Sequence, residues 1–212
     1  DVTLGIRDQQ VFVEAIAPRV GEASDRVPDP VWNGIADFPE RECLLRLTQA
    51  LTDKCDRLRG YMDAQVIPRD ACTIIAVSAS ALNQFGALLN GVHPAPLSVL
   101  AGAGPTVVTI GGTEPLYSSR RSTLKRNSGS DVDTALFENP AFSIVSGILY
   151  SSVYLWNAPR QPEHSLELFV NPSAAKPIPG DLQRRFVLWV QEKRRGDEAV
   201  WRKTQPNSSP EG

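Results

Sequence analysis

Between residues 40 and 62, apolar side chains return every three or four positions: Leu44, Leu47, Leu51, Cys55, Leu58 and Met62. That is one stripe along a helix of 3.6 residues per turn, so the segment must lie against an apolar surface. Its flanks say what that surface is. Upstream, Val2, Leu4 and Ile6 alternate with polar or small residues, and Val11, Val13 and Ala15 do the same after "RDQQ". Period-two alternation of this kind predicts two half-buried strands. Downstream, "ACTIIAVSASAL" holds a continuous apolar run, as expected of a central strand covered on both faces. Strand, helix and strand in succession predict an α/β domain.

The rest of the chain is read by the same rules. "PRVGEASDRVPDPVWNGIADFPE" is rich in Pro, Gly and Asp and predicts a long surface loop, of a length usually reserved for covering or binding something. "TVVTI", "FSIVSGILYS" and "LELFV" predict further strands, and a short helix capped by Ser130 or Asp131 is expected through "DTALFENP". "RRFVLWVQE" and "EAVWRKT" flank "KRRGD" as the arms of a C-terminal hairpin, and "QPNSSPEG" reads as a disordered tail.

Composition narrows the class. No apolar run approaches the roughly 20 residues that span a bilayer, and the first residues lack the apolar stretch of a signal peptide. The net charge of −2 argues against a generally sticky nucleic-acid binder. Cys43, Cys55 and Cys72 form an odd set without metal-type spacing, and His93 and His164 lie far apart, which argues against zinc. Cys43 and Cys55, on one predicted helix, stand roughly 18 Å apart and cannot bridge. A reduced, cytoplasmic protein is the expectation, with no membrane partner.

One residue interrupts the apolar pattern. Glu14 sits inside the second strand, where an unpaired buried charge would cost several kcal/mol. If Asp8–Gln9 form a two-residue turn, Thr3 pairs with Glu14 and Asp1 with Ile16. Asp1 and Glu14 are then diagonal neighbours on one face, and two converging carboxylates suit magnesium. The other reading makes Glu14 the wet side of an amphipathic strand. Weaker signals carry paired readings too. "SSRRSTLKR" is a phosphate-contacting loop or a solvated one, and "DVDT" offers carboxylates to a metal or caps a helix. Trp189 and Trp201, interleaved with basic residues, serve single-strand binding or the core.

An Asp opening one strand and a Glu in the next, followed by a helix and a buried strand, resembles the PD-(D/E)XK nuclease core. "VFVEAIAP…DRVPDP", "ECLLRLTQALTDKC", "TIIAVSASAL", "SGSDVDTALFENPAFSIVSGILYSS" and "FVNPSAAKPIP" resemble a group of uncharacterised bacterial proteins, over most of residues 1–180. The resemblance implies a mixed central sheet of restriction-endonuclease-like type flanked by helices, to which the alternating C-terminal arms add a β hairpin. Residues 1–180 are then expected to be an α/β nuclease-like domain, lacking its native N-terminal part because Asp1 rather than Met comes first; the residue pattern makes 181–204 the hairpin extension and 205–212 the tail. The resemblance assigns Asp1 and Glu14 to magnesium and to catalysis on DNA or RNA, with defence against foreign DNA as a role.

Two positions depart from that pattern. Ile16 stands where the motif has its lysine, and Val170 where relatives carry histidine before Asn171–Pro172. Lys54, roughly 60° from the centre of the helical stripe, is placed to replace the lysine, whereas Arg46 lies nearly opposite the core. The expectation is therefore a divergent, metal-dependent nuclease-like protein, active or inactive. The alternative is a non-catalytic binding or assembly protein on the same fold.

Overall fold

The computed structural model describes residues 2–6, 9–22, 26–29, 39–82, 94–104, 121–151, 153, 166–195 and 198–205. The apolar stripe becomes helix α1, Glu40–Asp63, and all six stripe residues are buried. Glu40 and Glu42 in its first turn favour the positive end of the helix dipole. Before it come strands β1, Val2–Ile6, and β2, Gln9–Ile16, and after it β3, Cys72–Ser78. Because β2 and β3 are parallel, the chain must cross between them, and α1 is that crossover.

Helix α2, Ala95–Leu100, precedes a small hairpin of β4, Thr123–Lys125, and β5, Asp131–Asp133. Then follow β6, Gly147–Ser151, β7, Glu167–Val170, the short α3, Gly180–Gln183, and the long hairpin β8, Val187–Arg195, with β9, Glu198–Thr204. The main sheet has seven strands in the order β1-β2-β3-β6-β7-β8-β9. It is mixed: β2/β3, β3/β6 and β7/β8 run parallel, and the other pairs antiparallel. Among the described residues the fold is mixed α/β, with few helices around the central sheet.

Alternation gives the sheet two chemically distinct faces. Toward α1 it presents Phe12 and Ile16 from β2, Ile75 and Val77 from β3, Ile148 and Tyr150 from β6, and Phe169 from β7. Tyr150 meets Phe169 edge-on at 6.3 Å, and Phe169 stacks on Trp189 at 5.9 Å, so the aromatic row runs across three strands. The other face buries Val11, Cys72, Ile74 and Leu168 under Ile178 and Leu182. There Gly147 is required, because a Cβ on it would lie 2.7 Å from both Phe169 O and Ile178 Cδ1.

Two expectations are corrected. The first hairpin pairs Val2 with Val13 and Thr3 with Phe12, two residues away from the predicted register. A shift of two keeps every side chain on its expected face, so only the neighbours change. The helix expected through "DTALFENP" is absent. Asp131–Asp133 form β5, the chain turns at Ala135 with φ of 60°, and two 3-10 turns, Leu136–Glu138 and Pro140–Ile144, follow. Helix α2 had no counterpart in the sequence reading. Asp1, "TVVTI", His93, His164 and residues 206–212 lie outside the described residues. Among the described residues no helix is long and apolar enough to cross a membrane.

Candidate functional site

Glu14 is not the wet side of its strand. It lies between Phe12 and Ile16 on the face under α1, and only 2% of it is exposed. Its carboxylate is met by two cations from that helix. Lys54 Nζ donates to Glu14 Oε1 at 2.5 Å, and Arg57 Nε stands 3.5 Å from the same oxygen. The Lys54 side chain is 13% exposed and that of Arg57 54%, so the cluster grades outward from the sheet to solvent. Lys54 therefore does turn toward the sheet, as its position at the border of the stripe suggested. Arg46, further round the helix from the stripe, instead donates to Arg19 O at 3.2 Å.

Helical spacing explains the arrangement. Lys54, Arg57 and Tyr61 follow at i, i+3 and i+7, and therefore share one flank of α1 beside the apolar stripe. Arg57 Nε donates to Tyr61 Oη at 2.7 Å, and its guanidinium lies 5.4 Å from the Tyr61 ring centre. The Tyr61 hydrogen bond, and after it the Glu14 charge, raise the Arg57 pKa further above neutrality. Two cations facing one carboxylate leave a formal positive excess on this flank. Sequence reasoning found Lys54 and missed Arg57. The signal was the three-residue spacing that links Arg57 to Lys54.

A magnesium ion wants several oxygen donors. The described residues provide one carboxylate here, and no group of three His, Cys, Asp or Glu side chains is gathered anywhere among them. Glu14 Oε1 is engaged by Lys54, while Oε2 makes no hydrogen bond within the described residues. The second ligand of the expected pair, Asp1, lies outside the described residues.

The remaining sequence signals are largely absorbed by the fold. Trp189 stacks on Phe169 and donates Nε1 to Glu167 Oε2 at 3.0 Å, and Trp201 packs against Phe137. Both are partly buried and packed against the core, rather than exposed stacking platforms. From "SSRRSTLKR", Arg121 lies 3.6 Å from Glu40, and Arg126 donates to Gln49 Oε1 at 2.9 Å. Val170 pairs with Gly147 on the face opposite Glu14, so its side chain is not part of the Glu14 site. Asn171 is a structural pin: its side chain donates to Phe142 O and Val145 O and accepts from Ser173 N. A cleft of about 330 Å³ opens on the other flank of α1, but its Arg59 is already bound to Asp56 and Ala141 O.

These features define a mixed α/β domain with a buried carboxylate held under two helical cations. Comparison with protein-family models, curated proteins and solved structures finds no match.

Proposed function

We propose that this chain is a divergent nuclease-like domain of restriction-endonuclease-like type that acts on nucleic acid, with Asp1, Glu14 and Lys54 as its site residues. One observation carries the reading. A carboxylate buried on a sheet strand is met at 2.5 Å by a lysine from the helix that follows that strand. The antiparallel β1/β2 hairpin, the α1 crossover and parallel β3 form the unit that such a site requires, and they support it. Glu14 Oε2, with Asp1, would hold magnesium, which when bound lowers the pKa of a water and offsets charge at a phosphate. Lys54 holds Glu14 in position and supplies the positive charge that Ile16 cannot.

The second reading is a non-catalytic binding or assembly protein on the same fold. It draws support from the neutralisation of Glu14 by Lys54 and Arg57, and from Val2 and Leu4, which are 58% and 39% exposed on edge strand β1. Exposed apolar residues on a sheet edge suit a protein contact.

Magnesium titration separates the two. A ligand of the native state raises its melting temperature, so the nuclease reading expects a magnesium-dependent rise that Glu14→Gln abolishes. Cleavage of DNA or RNA should vanish in the same variant and fall strongly in Lys54→Ala. A wild-type protein with neither the rise nor the cleavage refutes the nuclease reading and leaves the binding module in its place.

A further inference from the structure

We propose that Arg57 makes the Glu14 cluster a binding site for a phosphate group, with Tyr61 as the residue that positions it. The inference rests on the nuclease-like reading and adds the point at which the ligand is held. Lys54 cannot do this, because its ammonium is engaged with Glu14 and nearly buried. Arg57 is placed differently. Its Nε carries a single hydrogen, which goes to Tyr61 Oη at 2.7 Å. The 3.5 Å approach of that nitrogen to Glu14 is therefore charge attraction without a hydrogen bond.

The terminal N–H groups of Arg57 make no hydrogen bond within the described residues, and its side chain is 54% exposed. A guanidinium fork held from behind by a tyrosine hydroxyl and ring is preorganised to take two oxygens of an oxyanion. The charges agree. One positive charge in excess over Glu14 matches one phosphodiester, and the carboxylate beneath keeps the anion at Arg57, on the solvent side.

The test is binding of a single-stranded oligonucleotide by fluorescence anisotropy, with inorganic phosphate measured separately by calorimetry, both in chelator. Arg57→Gln should weaken oligonucleotide binding roughly tenfold and reduce its salt slope by about one. Arg57→Lys should restore the slope but not the full affinity, since it keeps the charge and loses the fork. Tyr61→Phe should weaken binding while keeping the slope. The melting temperature of Arg57→Gln should stay within about 2 °C of wild type, as for an exposed side chain.

Equal binding by wild type and Arg57→Gln overturns the proposal, and so does a wild type that binds neither ligand. Binding of inorganic phosphate alone, lost in Arg57→Gln, supports the site with free phosphate as its source. In that event the nuclease reading fails while Arg57 stands. Magnesium-dependent cleavage with KM unchanged in Arg57→Gln does the reverse.

Discussion

Replacing Lys54 by methionine isolates what the buried charge on Glu14 costs when its nearest partner is gone. The methionine keeps the aliphatic stem against the sheet and removes the ammonium that lies 2.5 Å from Glu14 Oε1. Breaking a buried pair at one end costs about 3–5 kcal/mol, because the remaining charge has neither water nor a partner. Glu14, at 2% exposure, fits that case, but Arg57 still stands 3.5 Å away from a half-exposed position. That remaining attraction, though screened by solvent, offsets part of the loss, so the low end, about 3 kcal/mol, is expected. For a chain of this length it lowers the melting temperature by roughly 6–12 °C. Glu14→Gln should cost less, about 1–2 kcal/mol, because Lys54 can extend its stem and carry its charge to water. The double variant should then lose roughly 1–3 kcal/mol less than the two singles together. Urea unfolding at neutral pH measures all four proteins. Additivity within about 0.5 kcal/mol would refute the reasoning, since it would mean that the two groups do not depend on each other.

Two further outcomes follow from the core. Leu51 is fully buried at the centre of the α1 stripe, so Leu51→Asp should cost several kcal/mol and leave little soluble protein; an unchanged melting temperature would show that α1 packs through another face. Burial, reinforced by Glu42 beside Cys43, pushes the Cys43 thiol up to about 12, and burial pushes Cys55 up to about 11 against an opposing pull from Arg59. Their folded-state values exceed the ordinary 9.0, so the native state keeps protons that the unfolded chain releases. This contribution to stability is complete below pH 9 and is lost as pH rises through 11 and 12. Melting temperatures should fall across the alkaline range, and iodoacetamide at pH 8.5 should label these thiols only after unfolding; equal labelling of native and urea-unfolded protein would contradict their burial.

The helix and the facing of the strands were legible in the sequence because both are local. Leu44 to Met62 select one side of α1 by their spacing, and the alternation in β1 and β2 assigns each side chain to a face without reference to any other segment. Register is not local in that sense. Pairing Val2 with Val13 or with Ala15 leaves the same apolar face, so alternation cannot distinguish the two, and the turn and the neighbouring β3 decide. The burial of Glu14 lay between these cases. Phe12 and Ile16 already mark its face as apolar, but a strand does not reveal which face a helix will cover. Only the crossover that brings α1 over β2 places Lys54, forty residues on, against Glu14, and Arg57 one helical turn further out. The sequence by itself thus determined which residues face together within each element. The tertiary structure decided which faces meet, because a charge can be tolerated in the core only where another element supplies its counterpart.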